Sequence, residues 1–244
     1  AALFSKKHIK LDSVDSTNNY TLSMKGTLLF KEGLVVTANF QTGGNGQREK
    51  SWESSADDNL LISVVIEPNI SAKNQFLLSQ CVALALYDFL TLYYDDVSIK
   101  WPNDILVGKQ KIAGILIKNI LKGNEITHSV IGVGLNVNQT KFKAYSPQAN
   151  SLKLLLNKIF DVSKIKEEVL KCLAKRIKQL RSGSDQQKEY LSALFLNKKI
   201  SAFESEDKKF MGIIQGVSKS GKLQIQLEDD SVTEFNNQEV KFLF

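Results

Sequence analysis

Residues 71–94, SAKNQFLLSQCVALALYDFLTLYY, read as one long helix with apolar side chains on most of its faces. Such a helix cannot lie on a surface, so the remaining elements must cover it. The segment just before it, NLLISVVIE (59–67), is a short and almost wholly apolar run, the pattern of a buried strand. A buried strand beside a buried helix requires a layered fold with a substantial core. A chain of 244 residues is long enough to build one, as a single domain or as a large domain with a small appendage.

The other elements fall around this pair. HIKLDSV alternates like a strand and leads into DSTNNYTLSM, a helix opened by an Asp/Ser cap. GLVVTANF is β-branched and strand-like. VSIKW is a strand ending at PND, and DILVGKQKIAGILIKN reads as two strands joined by a Gly-Lys-Gln-Lys turn. ITHSVIGVGLNVN alternates but is interrupted by Gly132 and Gly134, as happens where backbone must approach another group closely. A polar stretch near 138–150 leads into helices at about 151–157, 163–181 and 185–196. After Asn197 the chain becomes short alternating runs broken by Gly and Asp, the pattern of a small β-barrel. The expected organisation is α+β, with a main domain at 1–196 and an all-β domain at 197–244.

Composition excludes several functions. No apolar run reaches the ~18 residues of a membrane span, and the N-terminal AALFSKKHIKLDS has no signal-peptide core, so a cytoplasmic protein without membrane attachment is expected. Cys81 and Cys172 sit in helix-like apolar patterns without CxxC spacing, and His8 and His128 lack companions. Neither a disulfide nor a protein-built metal site is expected. The net charge of +6 raises the question of nucleic acid, but residues 158–199 hold 11 basic against 5 acidic residues and residues 200–244 hold 5 against 8. The excess therefore lies mainly on one helix, and only Arg48, Arg176 and Arg181 are arginine, the side chain that reads bases best. A solvated lysine face is the expected reading, with no DNA bound.

Four stretches could carry chemistry: STNN (16–19), QTGGNGQREKSWES (41–54), KWPND (100–104) and GVGLNVN (132–138). Alone, each has a bland reading as cap, turn, strand end or relief of crowding. Together they are complementary. The loop amides, Arg48 and Lys100 can face an anion. Trp52 offers a flat face for a base. Ser16, Thr17, Asn18 and Gln41 supply neutral donors and acceptors for an uncharged polar ring.

In order and spacing these stretches resemble the biotin protein ligases, over essentially the whole chain. The most specific element is KWPND followed by AGIL, with DSTN and the glycine loop upstream and GVGLNVN downstream. The resemblance implies a mixed or antiparallel sheet with helices, of the class II aminoacyl-tRNA-synthetase and biotin-ligase kind, plus a C-terminal SH3-like barrel. It implies ATP- and Mg²⁺-dependent formation of biotinyl-5′-AMP and transfer of biotin to a lysine of a biotin carboxyl carrier protein, by an enzyme that can be monomer or homodimer. Ser16, Thr17, Asn18, Gln41, Asn45, Gly46, Gln47 and Lys100 would contact biotin. Arg48, Trp52, Asn103 and Asn136 would lie on the ATP side, with Lys111 a weaker candidate near the phosphates, and Lys100 and Arg48 would serve catalysis. The glycine loop, mobile without ligand, would close over the adenylate. Asn45, Glu49 and Lys118 depart from the family pattern, which has a basic residue, a glycine and an acidic residue at these places. The short stretch ahead of the first core strand suggests the type without a DNA-binding domain. Lipoate ligation and a basic nucleic-acid-binding protein are the alternatives. All motif stretches fall before residue 140, so residues 197–244 are expected to stand outside the adenylation pocket.

Overall fold

The structure is a computed structural model that describes residues 3–4, 7–44, 46, 52–144 and 146–244. Seven strands form the main sheet: β1 (Lys7–Val14), β2 (Leu34–Gln41), β3 (Leu60–Ile66), β4 (Val97–Lys100), β5 (Asp104–Val107), β6 (Gln110–Lys122) and β7 (Glu125–Leu135). Their spatial order is β1-β2-β3-β7-β6-β5-β4. Only β1 and β2 run parallel; the other neighbours are antiparallel. Among the described residues five α-helices accompany them: α1 (Thr17–Ser23), α2 (Gln75–Leu90), α3 (Leu152–Leu156), α4 (Val162–Arg181) and α5 (Gln187–Ser192). The chain is α+β with a mixed sheet. The helix expected at 71–94 is shorter at both ends, with a 3-10 turn at 72–74 ahead of α2 and a last helical residue at Leu90.

Strand β3 explains its own composition. All seven of its residues are buried, as expected of a strand covered on both faces. Leu60, Ile62, Val64 and Ile66 pack into the large core with α2 and α4, while Val65 joins Leu34, Val36 and Val130 in a smaller cluster on the opposite face near α1. The same alternation divides the strands beyond it. Ile131 and Val133 of β7, Ala113 and Ile115 of β6, Ile105 and Val107 of β5 and Ile99 of β4 all face the large core. Strand geometry then turns Gly132, Gly134, Gly114, Leu116, Asp104 and Lys100 to the other face.

Helix α4 is only partly a solvated lysine face. Lys164, Lys171, Lys175 and Lys178 are exposed, but Ile165, Val169, Leu173, Ile177 and Leu180 pack inward and Arg176 is buried. The Arg176 guanidinium donates two 2.7 Å bonds to Asp88 of α2 and lies 2.8 Å from Glu189 of α5, so an arginine ties three helices together. Burial pushes the thiol of Cys81, also on α2, up to about 12, which keeps it protonated.

Residues 200–243 form a second sheet of β8 (Ile200–Ser205), β9 (Lys208–Val217), β10 (Leu223–Gln226), β11 (Val232–Phe235) and β12 (Lys241–Leu243), in the order β11-β10-β9-β8-β12. Its buried Phe203, Ile214, Val217 and Leu223 are continuous with the large core. Trp101, buried just after β4, donates from Nε1 to the carbonyl of Gly221 in the β9–β10 turn at 2.9 Å. The Trp of KWPND therefore anchors one sheet to the other.

The Arg176–Asp88 pair yields a stability prediction. Asp88→Ala leaves a buried guanidinium with only the exposed Glu189 as a carboxylate partner, beside a long bond to Gln186, and should cost about 3 kcal/mol in urea unfolding.

Candidate functional site

A cavity of about 940 Å³ opens on the sheet face turned away from α2. Ten of the residues singled out by sequence line it: Ser16, Thr17, Asn18, Gln41, Gly46, Trp52, Lys100, Asn103, Lys111 and Asn136. Asn45, Gln47 and Arg48, like Glu49, lie outside the described residues.

Along β7, residues two apart present three different surfaces to the cavity. At Gly132 a Cβ would stand 2.5 Å from Nδ2 of Asn18, so the missing side chain is the seat of that amide. At Gly134 a Cβ would stand 2.7 Å from Cζ2 of Trp52, and at Gly114, paired with it on β6, 3.0 Å from Cζ3. The indole therefore lies on bare backbone. Asn136 follows just past the strand. At ~3.4 Å rise per residue, Gly132 and Asn136 are separated by about 14 Å, the length of an extended ligand.

The Gly132 end is neutral and polar. Ser16 caps α1, its side chain accepting from the Asn19 amide at 3.4 Å, so the STNN motif is a cap as well as a cavity wall. Thr17 donates to Gln41 Oε1 from both its backbone N–H, at 2.8 Å, and its hydroxyl, at 3.1 Å. Ser63 donates to the Thr17 hydroxyl at 2.9 Å. Asn18 donates from Nδ2 to the carbonyl of Leu116 at 3.0 Å, which leaves Oδ1 buried and without a partner. A buried, unpaired acceptor in a cavity wall suits a ligand N–H.

The opposite end is aromatic and amide-rich. Lys111 stands 5.5 Å above the Trp52 ring and pairs with Asp104 at 2.7 Å. Asn136 donates from Nδ2 to the carbonyl of Asn150 at 3.0 Å, and its Oδ1 is again buried and unpartnered. Asn103 donates from Nδ2 to the carbonyl of Ile115 at 2.9 Å while its own carbonyl accepts from the Ile115 amide, which fixes the start of β5 beside β6. Lys100 also lines the cavity, in the same row across the strands as Asp104, Gly114 and Gly134, its Nζ 4.8 Å from the ring centroid of Phe242. Among the described residues no group of three or more His, Cys, Asp or Glu could hold a metal ion, and no helix is long and apolar enough to cross a membrane.

Two parts of the wall differ from expectation. The polar stretch at 138–150 contributes Phe142, Ser146, Pro147 and Ala149, held by bonds between Lys111 and residues 148 and 150. The end of the chain contributes Asn237, Gln238, Val240 and Lys241–Phe244, so residues 197–244 do not stand outside the cavity. Their signal was faint: a lone Phe142 between two lysines and a short apolar run, VKFLF, at 240–244. The glycine loop also differs at its first residues. Thr42 and Gly43 donate to the carbonyls of Val14 and Asp15, and the Trp52 amide donates to Gly44 at 2.7 Å, so 42–44 are fastened down.

The profile of the biotin/lipoate A/B protein ligase family matches residues 11–136, more than half of the chain and the span that holds every candidate residue. The chain belongs to that family. A Mycobacterium tuberculosis protein named biotin--[acetyl-CoA-carboxylase] ligase is 31% identical over 180 residues, 70% of this chain and 64% of its own length. A Paracoccus denitrificans protein of the same name is 35% identical over 130 residues, 52% of this chain and 53% of its own length. The chain spans about half the length of many of the curated relatives it matches. In fold it is similar, with a TM-score of 0.79 at 23% identity, to the biotin protein ligase of Aquifex aeolicus solved with biotin and ATP, over 98% of this chain and 100% of that one.

The bare floor under Trp52 can be tested. Gly134→Ala should fold but displace the indole, at a cost of about 1–3 kcal/mol as for other overpacked sites. Its tryptophan emission should shift from that of the parent, and the shift should vanish in a Trp52→Phe background that retains Trp101.

Proposed function

We propose that this protein activates biotin with ATP and transfers it to a lysine of a biotin carboxyl carrier domain. The observation that carries the reading is the set of groups on one cavity wall: a neutral amide and hydroxyl end and an indole and amide end, about 14 Å apart along β7, with a lysine on the same wall. That set matches a ligand with an uncharged polar ring, a carboxylate and a nucleotide.

In this reading Ser16, Thr17, Asn18 and Gln41, with Gly46, hold the ureido ring, Asn18 Oδ1 accepting one of its N–H groups. A dithiolane ring has no N–H to offer, so the unpaired acceptor favours biotin over lipoate. Trp52 and Asn136 take the nucleotide, and Arg48, Asn45 and Gln47 complete the ligand contacts. Asp104 already offsets the charge of Lys111, which leaves it a lesser role at the phosphates. Mg²⁺ arrives with ATP as counter-ion of its phosphates.

A carboxylate oxygen of biotin attacks the α-phosphorus, a new O–P bond forms and pyrophosphate leaves. Two anions must meet, and Lys100 lowers the cost by facing both, an electrostatic contribution fixed before the reaction begins. The carrier lysine, as a free amine, then attacks the biotinyl carbonyl carbon; the C–O bond breaks, AMP leaves and the amine loses a proton. The walls from 142–149 and 237–244 restrict water at the mixed anhydride. We take residues 1–196 as the catalytic unit and 197–244 as an SH3-like barrel docked on it, in a cytoplasmic enzyme that binds no DNA.

Incubation with biotin, ATP, Mg²⁺ and a carrier domain should add one biotin to the carrier by mass, and lipoate should not substitute. A carrier of unchanged mass, in the presence of a folded enzyme, would refute the reading. Lys100→Ala should retain the fold and reduce biotin-dependent pyrophosphate release by about 10²–10³-fold, as for loss of one transition-state donor.

A further inference from the structure

Strand β12 ends against the catalytic face, and its pleat assigns neighbouring side chains different tasks. Lys241, at the cavity rim and largely exposed, pairs with Glu204 of β8 at 2.6 Å. Phe242, the next residue, turns inward and is half-buried. It stands directly opposite Phe203 of β8, with ring centroids 5.4 Å apart and planes at 69°. Phe203 is fully buried in the common core, so the Phe242 ring has a rigid support on one side. Its other contact is the Lys100 ammonium, 4.8 Å from the ring centroid and within cation–π range.

A second pair of contacts fixes the backbone of this region. The amide of Phe195 donates to the carbonyl of Ile99 at 2.9 Å, and the Phe195 ring packs on Phe244 at 4.7 Å. The residue before Lys100 and the residue two after Phe242 are thus joined through Phe195. Lysine has a long side chain with four rotatable bonds, and placing its ammonium at one point in a cavity costs rotamer entropy. A ring face compensates for part of that cost and adds no formal negative charge of its own.

We infer that Phe242 is a positioning residue for Lys100: its ring, braced by Phe203, holds the ammonium where biotin's carboxylate meets the α-phosphate. The inference rests on the proposed adenylation site. It assigns the C-terminal sheet a part in the first half-reaction, through one named contact.

Three full-length variants test it. Phe242→Leu keeps an apolar side chain on Phe203 but removes the π-face, and Phe242→Tyr keeps the face. Phe242→Leu should lower kcat/KM for biotin in pyrophosphate release by about 3- to 30-fold, the range of a cation–π contact, with KM for ATP unchanged. Phe242→Tyr should restore it. In a Lys100→Ala background Phe242→Leu should add no further loss, the signature of two residues acting as one. An unimpaired Leu variant, a Tyr variant as impaired as Leu, or losses that add in the double variant would each overturn the inference. A separate readout needs no activity: the Lys100 Hε NMR signals should carry an upfield ring-current shift in wild type and the Tyr variant, lost in Leu. Absence of that shift in wild type overturns the contact itself. Absence of any biotin-dependent pyrophosphate release in wild type overturns the proposed function and leaves the ring-current result to judge the contact.

Discussion

Side chains on a strand must alternate between two faces, and the site depends on how β4 to β7 divide theirs. One parity is committed to the large core under α2 and α4, where Ile99, Ile105, Ile115, Ile131 and Val133 are packed. The other parity is free to differ, and here it carries Lys100, Asp104 and three glycines. A one-residue register slip would put the lysine into the hydrocarbon core and the isoleucines into the cavity. The site and the core therefore specify one another. The near-continuous apolar burial of β3 fixes an interior strand of the sheet, and the half-apolar strands beyond it leave a face for chemistry.

On that face the glycines act as absences. Gly132 admits the Asn18 amide, and Gly134 with Gly114 admits the Trp52 indole. Both guests bring a hydrogen-bonding atom that the protein leaves unpaired: Asn18 Oδ1 and Trp52 Nε1, with Asn136 Oδ1 just beyond. Three buried and unsatisfied polar atoms in one cavity wall are costly to a folded protein unless something else partners them. The arrangement is that of a site prepared for a polar ligand, with the cost carried by the unliganded protein.

Much of this was legible in the sequence because it is local. The apolar run of NLLISVVIE, the interruption of GVGLNVN by glycines, the cap at Ser16 and the texture change after Asn197 all report on elements formed by their own residues. What could not be read is what depends on distant pairing. Arg176 sits in a lysine-rich helix and looked like one more solvated cation; only the packing of α4 on α2 brings Asp88 to it. Trp101 read as part of a motif, and its bond to Gly221, 120 residues away, needed the second sheet to be in place. The terminal residues gave no motif at all, yet they complete the cavity wall because β12 returns to pair with β8 beside β4.

The three lysines that line the cavity also differ in what they can offer an anion. Lys111 faces Asp104 at 2.7 Å and Lys241 faces Glu204 at 2.6 Å. A cation already paired with a carboxylate gives an incoming phosphate or carboxylate much less, because the pair's fields largely cancel at a distance and breaking it restores the cost of the stranded acid. Lys100 has the Phe242 ring beside it, and an aromatic quadrupole attracts an ammonium without bringing a formal negative charge of its own. What an anion meets in the cavity is therefore set by the partners of each lysine, and the net charge of +6 on the whole chain does not decide it.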